Sequence, residues 1–555
     1  EFKASVSTNS ISEQSRVYNP VYYALESVND LTGKYTLFNI NPGETGRLGD
    51  VIGSRDGETH YYFEGRFNWN ESFGLHNVGL MTVGTAEEKI LTNGKNGTIY
   101  ETLPERNLGN SSRFTYDYDS RYFLEASYGY NGSEKFDKSH RFGFFPAFGL
   151  GWMISNEPYY SSKMKDIFQL LKLKFTYGKV GNDAISNRSG RFFFLSNITN
   201  GGGDYRWGTD FLNTHTGYSV IRYNNPNIQW EVSSIANLGL ELGLLDGMML
   251  QVDVFNNIRD KIYWARNNIP QTMGFETNIS GNVGKVKSHG FDGSLDYKHS
   301  FNPKTWATVR ANMSYSKNKI VRTDEPAYDD AYLYTVGHPV NQQWGYVAER
   351  LFVDQAEIDN SPSQSAFGEY MRGDIKYTDV NGDGVINSND RIPIGYPTVP
   401  QIQYGFGASS GFDKVDFSFF FQGNAQTSFF IEPAKIAPLV DRRNAPAIIA
   451  RDSWSETNPD IHAFWPRLAT YQINNNLQKS TWWLREGGFL RLKTVELGYS
   501  PGILRKFGLS GGRIYLSGEN LFYFSSFKLW DPEMGGNGLS YPINRRYNVG
   551  LQVMF

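Results

Sequence analysis

The stretch KTWATVRANMSYSKN, residues 304–318, alternates with a period of two. Ala307, Val309, Ala311, Met313 and Tyr315 fall on one face, and Trp306, Thr308, Arg310, Asn312 and Ser314 on the other. Successive side chains of an extended strand point to opposite sides, so this is a strand with one greasy and one polar face. The pattern returns in KVDFSFFFQGN, residues 414–424, where Val415, Phe417, Phe419 and Phe421 share a face. It returns again in YNVGLQVMF, residues 547–555, with Tyr547, Val549, Leu551, Val553 and Phe555 opposite Asn548, Gly550, Gln552 and Met554.

Around these stretches the strands come in pairs. QIQYGFGASSG joins VDFSFFFQGN near Phe412-Asp413-Lys414, and GFDGSLDYKHS joins TWATVRANMSYS through Phe301-Asn302-Pro303-Lys304. KTVELGYSP and GGRIYLSGENL are joined through Ile503 to Ser510. Long polar loops, such as 320–340, 354–400 and 425–480, separate the pairs. Short turns at one end and long loops at the other are the layout of an outer-membrane barrel. A soluble β-sandwich also alternates, but its core is aliphatic and its strands are shorter. Here SSRFTYDYDSRYFLEASYGYNG, residues 111–132, reads as one long extended run, and the segments are flanked by Tyr, Phe and Trp. Such aromatic girdles are what a bilayer interface selects.

Composition agrees. With 54 basic and 57 acidic residues the net charge is −3, which gives no electrostatic footprint for nucleic acid. Aromatics at 15% and 57 glycines favour β-structure with many tight turns. The mean hydropathy of −0.48 and the lack of a long apolar run exclude a membrane helix. They do not exclude a barrel, whose strands hide their apolarity in alternation. The absence of cysteine removes disulfides, thiol catalysis and Cys-based zinc sites, and suits a chain that crosses an oxidising periplasm unfolded. EFKASVSTNS at the start is neither a signal peptide nor a domain opening, so the chain is expected to begin inside a longer protein.

Two local motifs stand out. At the chain end, Phe555 is preceded on one face by Val553 and Leu551, with Gly550 and Asn548 on the lumen side. Asn548, Gly550, Val553 and Phe555 resemble the C-terminal signal read by the barrel-assembly machinery. The second motif is DVNGDGVINSND, residues 379–390. Asp379, Asn381 and Asp383 supply side-chain oxygens at loop positions one, three and five, and Gly384 permits the turn at six. Val385 offers a carbonyl at seven, Asn387 stands at nine, and Asp390 closes at twelve where a bidentate Glu is usual. The expectation is a structural Ca2+ that stiffens a long extracellular loop too polar to build a core, with Ile386 as the hydrophobic anchor. The bland alternative is an Asx- and Gly-rich surface turn that binds nothing.

No enzyme is legible. GLSGG, residues 508–512, is followed by a strand, whereas a nucleophile elbow around Ser510 needs a helix there. GFGASSG at 405–411 lacks a βαβ context, and the eight histidines show no H-E-x-x-H pairing. Trp207, Trp230, Trp264, Trp454, Trp482 and Trp483 lie in or beside loops, where girdle or loop-core roles outweigh sugar stacking.

Longer stretches resemble one family, the SusC/RagA-type TonB-dependent outer-membrane transporters. HRFGFFPAFGLGWMISNE (140–157) resembles the family's strand ending in a GW–x–[IL]–S–x–E turn, and LLKLKFTYGKVGND (170–183) the strand after it. NVGKVKSHGFDGSL (282–295) is similar to its GKV-x-N-x-GFE segment, with His289 and Asp292 in place of Asn and Glu. GDIKYTDVNGDGVINSNDRIPIGYPTVPQIQYGF (373–406), FLRLKTVELGYSP and LSGENLFYFSSFKLWDPE complete the likeness. The resemblance implies an all-β fold, a large antiparallel transmembrane barrel of about 22 strands around a plug. Residues 1–555 would be its C-terminal part, with roughly 15 to 17 strands and without the plug and first strands. It also implies a place in the outer membrane of a Gram-negative bacterium and import of oligosaccharides or oligopeptides. The implied partners are a SusD-like surface lipoprotein, outer-membrane lipid, and TonB–ExbB–ExbD acting through the upstream part. A passive porin-like channel and a soluble calcium-binding β-rich protein are the alternatives.

Overall fold

The computed structural model describes residues 1–28, 32–44, 46–49, 52–93, 103–185, 192–244, 247–440, 444–502 and 510–554. Sixteen antiparallel strands form one sheet in chain order, each strand beside its sequence neighbours. The first eight are β1 (Phe2–Ser15), β2 (Ile52–Phe73), β3 (His76–Asn93), β4 (Glu105–Tyr118), β5 (Tyr122–Ser133), β6 (Phe142–Met153), β7 (Phe168–Asn182) and β8 (Glu231–Leu244). The rest are β9 (Met248–Ala265), β10 (Ser280–Asn302), β11 (Thr305–Arg322), β12 (Ile402–Phe412), β13 (Val415–Ala425), β14 (Phe489–Tyr499), β15 (Gly511–Ser525) and β16 (Arg546–Met554). This up-and-down order is the barrel wall expected from the alternation. Among the described residues, β1 and β16 each have one sheet neighbour.

The turns after residues 302 and 412 fall where the sequence places them, and Asp413 adopts φ 51° in the second. Residues 503–509 of the third lie outside the described residues. The run 111–132 is not a single strand. It folds back between β4 and β5, where Asp119 (φ 52°) and Ser120 (φ 51°) are both left-handed and Arg121 N–H donates to Tyr118 O at 2.9 Å. Two positive φ values in succession match the right-handed twist of a tight hairpin, and Asp tolerates them better than most residues. No glycine marked the spot.

The same end of the wall is reinforced after β6. Glu157 is buried and accepts from Trp152 Nε1 at 2.8 Å and Arg121 Nη1 at 3.4 Å. The GWMISNE motif is thus a clamp between two adjacent turns.

At the opposite end, the connections 323–401 and 426–488 fold over each other. Short strand pairs, Ala348–Leu351 with Ile375–Tyr377 and Ser428–Phe430 with Leu484–Glu486, brace them, as does the helix Gln355–Asp359. Their buried side chains form one cluster that includes Leu351, Ile375, Tyr377, Ile386, Ile449 and Trp483. This corrects the expectation that the calcium-type loop is too polar for a core. The apolar residues are scattered between polar ones and converge only in three dimensions. The cap buries them as a small globular domain does.

Candidate functional site

The register of the sheet sorts side chains into rows. One row runs Leu124, Leu150, Phe175, Leu238, Val254, Phe291 and Tyr315 from β5 to β11. Most of these are exposed despite being apolar. A contiguous exposed apolar face on an antiparallel wall fits hydrocarbon rather than water. One step along each strand, the opposite face carries Lys174, Gly239, Asp253, Asp292, Ser314, Gln403, Asn424 and Phe489 as one row from β7 to β14. A second such row reads Lys172, Glu241, Gln251, Ser294, Asn312, Gly405, Gln422 and Arg491. This is the lumen lining.

These rows climb, because the strands of a barrel tilt. Lys174 lies at the middle of β7, whereas Gln403 and Asn424 lie at the long-loop end of β12 and β13. The chemistry changes along the climb. Low on the wall the charges are paired: Lys174 Nζ lies 3.1 Å from Glu241 and 3.4 Å from Asp253, and Arg113 lies 2.6 Å from Glu125. A cavity of about 630 Å³ opens there, lined by Arg113, Glu125, Lys172, Lys174 and Thr176. High on the wall a second cavity, of about 500 Å³, is lined by the carboxamides of Asn312, Gln403, Gln422 and Asn424 and by Phe420 and Phe489, with Asp292 and Glu533 beside them. Arg491 lies two residues along β14 from Phe489, and its partner Glu533 lines the cavity. Arg491 is 2% exposed and pairs with Asp531 at 2.6 Å and Glu533 at 2.8 Å. The motifs FLRLKTVELGYSP and LWDPE meet in this contact.

Above the lumen, buried amides knit the cap. Gln364 Nε2 donates to Ile375 O (2.9 Å) and Asn475 Oδ1 (2.6 Å), and its Oε1 accepts from Tyr377 N–H (2.7 Å). Asn476 Oδ1 accepts from Ile375 N–H at 2.9 Å, and its Nδ2 donates to Asp374 at 2.8 Å. Asp374 also takes the Arg467 guanidinium at 3.1 Å. Burial pushes the Tyr377 phenol well above its ordinary value. Sequence reading missed Gln364, Asp374, Asn475 and Asn476, whose only signal was polarity in a loop. Trp454 and Trp483 are buried in the cap, Trp482 packs against it, and Trp230 packs on a smaller core of Phe136, Phe193 and Ile228. Trp207 is exposed at a hairpin end and Trp264 belongs to β9.

The calcium-type loop lies at the cap's edge. Asp379 accepts from Gly382 and Gly384 N–H at 2.7 and 2.8 Å, Asn381 from Asp383 N–H at 3.1 Å, and Asp383 from Val385 N–H at 2.8 Å. Asn387 caps a 3-10 turn, Ser388–Asp390, and Asp390 accepts from Val380 and Asn387 N–H, both at 2.8 Å. Asp390 is buried, and Ile386 is fully buried as the anchor. Tyr332 donates to Asn389 O at 2.9 Å, and burial, with Asp330 beside it, pushes its phenol up to about 12. Among the described residues no three His, Cys, Asp or Glu side chains converge as a metal cluster. In the terminal strand, Asn548 pairs with Ser517, Gly550 with Tyr515 and Val553 with Gly512. A Cβ on Gly550 would lie 2.1 Å from the Tyr515 ring, so glycine lets that ring lie on the lumen wall. Phe555 lies outside the described residues. Ser510 stands directly before β15, and the residues ahead of it lie outside the described set.

A tilted antiparallel wall with an apolar outside, a polar inside and a self-cored cap defines a membrane-type β-barrel. Compared with known proteins, residues 5–429 match the sequence model of the family described as TonB dependent receptor-like, beta-barrel, and the chain belongs to that family. It is 28% identical to "TonB-dependent receptor P26" of Formosa agariphila over 492 residues, 80% of this chain and 45% of the relative. To "TonB-dependent receptor SusC" of Bacteroides thetaiotaomicron it is 24% identical over 462 residues, 80% of this chain and 43% of that one. The chain spans about half the length of the curated relatives it matches. Its fold is shared with the RagAB peptide importer in the closed-closed state, at TM-score 0.72 and 20% identity, over 100% of this chain and 59% of that one.

Proposed function

We propose that the chain forms the barrel of an outer-membrane importer of the SusC/RagA type, in a Gram-negative bacterium. The observation that carries this reading is the combination of a polar, climbing lumen with a self-cored cap at its long-loop end. A passive pore has no use for so large an ordered cap. The cargo is an oligosaccharide or oligopeptide too large for free diffusion. A SusD-like surface lipoprotein meets the cap, and TonB–ExbB–ExbD supplies the energy through a plug held by the whole protein. No step of this reading is enzymatic. Purification from native outer membranes with peptide mapping tests it. A stoichiometric lipoprotein and plug peptides from the same gene are expected, and a plugless barrel without a partner would remove active import.

The 379–390 loop is proposed to hold a structural Ca2+. Asp379, Asn381, Asp383, the Val385 carbonyl, Asn387 and Asp390 would be its oxygen ligands. The support is the spacing, the left-handed Gly384 (φ 82°) and carboxylates that keep lone pairs beyond those given to N–H groups. Asp379→Ala with Asp383→Ala should raise protease cleavage within 354–400, as should a chelator. Equal cleavage with and without chelator removes the ion. Asn548, Gly550, Val553 and Phe555 are proposed as the signal for barrel assembly. Phe555→Ala should lower the fraction of heat-modifiable, folded protein in the membrane.

A further inference from the structure

Near the long-loop end of the wall the outer face carries a groove of about 510 Å³. Its floor is one row of the register, Phe63, Ala86, Leu108, Gly132 and Phe142, running from β2 to β6. Gly132 and Phe142 stand an even number of residues from Leu124 and Leu150 on the same strands, so this row shares the face of the exposed apolar row. A Cβ on Gly132 would lie 2.5 Å from the Phe142 ring, so glycine lets that ring lie over β5. The pair Gly132–Phe142 lies about ten residues along both strands from the pair Tyr122–Trp152, the length a tilted strand needs to cross hydrocarbon. Aromatic residues mark both levels: Tyr122 and Trp152 at one, and Tyr130 and Phe142, stacked at 5.2 Å, at the other. The groove therefore sits where acyl chains give way to headgroups.

The charged residues that line the groove fall into two sets. Glu88 takes Arg106 at 2.9 Å, and Glu87 is shared by His60 Nε2 at 3.1 Å and Asn107 Nδ2 at 3.0 Å. Glu134 and Arg141, from the connection between β5 and β6, are unspent. Among the described residues neither side chain has a hydrogen-bond or ion-pair partner, and Arg141 Nε is shielded from solvent and bare. Lys135 is not available to Glu134, because Glu105 at 3.8 Å and Asp183 at 3.6 Å already face it. A lone guanidinium and a lone carboxylate beside one apolar groove are the complement of a zwitterion. A phosphate receives a guanidinium fork, and a primary ammonium donates to a carboxylate. A purely anionic headgroup would leave Glu134 against like charge.

We propose that this groove holds one phospholipid whose headgroup joins a phosphate to a primary ammonium, as in phosphatidylethanolamine. An acyl chain lies along the row from Phe63 to Phe142, the phosphate meets Arg141 and the ammonium meets Glu134. Charge complementarity and continuity with the hydrocarbon-facing row select this occupant over a second protein. The inference rests on the membrane placement of the wall in the importer reading. The groove lies outside the lumen, so lipid retention and cargo uptake are separate readouts: loss of either leaves the other standing.

The test uses the full protein purified from native outer membranes in detergent, with folding checked by heat-modifiable mobility. It is exchanged into micelles containing equal palmitoyl-oleoyl phosphatidylethanolamine, phosphatidylglycerol and phosphatidylcholine, or lipid A, and retained lipid is counted by native mass spectrometry. One phosphatidylethanolamine per barrel is expected, favoured over the others by roughly tenfold. Arg141→Gln should lower retention of the phosphatidylethanolamine by roughly tenfold. Glu134→Gln should abolish the preference for it over phosphatidylglycerol. Ala86→Phe keeps both charges but fills the floor, and should lower retention with folding intact. Equal retention of phosphatidylethanolamine and phosphatidylglycerol by the parent, preference for lipid A, retention of no lipid, or the same retention by parent and all three variants overturns the proposal.

Discussion

The cap and the wall are held together by opposite means. The cap buries its own core: Trp483 is 1% exposed, and its indole N–H donates to Asn476 O at 2.8 Å within a cluster shared by the connections 323–401, 426–488 and 526–545. The wall keeps large apolar residues such as Leu238 and Val254 on its outside, and relies on strand pairing and on its surroundings. One region carries its own hydrophobic solvent and the other borrows one. They should therefore fail separately.

The sharpest way to break that separation is Trp483→Ala. A cavity of this kind should cost the cap about 3–5 kcal/mol. Proteolysis within 323–401 and 426–488 should follow while the heat-modifiable mobility of the wall survives, and simultaneous loss of both would mean one cooperative unit. Next, Leu238→Arg puts a charge on the outer face and should cost the wall about 2–4 kcal/mol in lipid, in a denaturant titration in vesicles. The lumen change Gln403→Ser should stay within about 0.5 kcal/mol in the same assay. Asn476→Ala strips a partner from Ile375 N–H and should cost the cap about 1–3 kcal/mol, read by hydrogen exchange at Ile375. The smallest effect is a response to pH. Burial alone would raise Glu357, but the Val353 N–H at 2.9 Å, with Arg350 and Lys376, holds it below its ordinary value. A depressed carboxylate stabilises the fold above its unfolded value and loses that contribution as pH falls through its folded one. Exchange at 355–359 should therefore quicken in acid, and Glu357→Gln should flatten that dependence.

The wall was legible because alternation is local: β11, β13 and β16 announce their faces within a few residues. The hairpin at 119–120 was not, because Asp-Ser carries its left-handed turn without the usual glycine. The cap was illegible for a different reason. Ile375, Ile386 and Trp483 share no period, and the Gln364–Asn475 contact spans 111 positions of sequence. The motif 373–406 signalled the family, but only the fold reveals that Asp374, Ile375 and Tyr377 in it are anchors for a second, distant connection. The amides of the upper lumen were equally silent. Asn312 and Gln403 look like ordinary polar positions of a strand until the fold brings them to one cavity.

The shared core of the cap also ties distant parts of the wall together. Gln364 and Asn475 belong to connections that leave the wall from different strand pairs, and the pairing of β11 to β14 holds the roots of both connections at one end of the sheet. Closing so long a loop has an entropic cost, and the paired strands offset part of it by fixing where the loop begins and ends. The contact between residues 111 positions apart in sequence therefore needs far less ordering than that separation suggests.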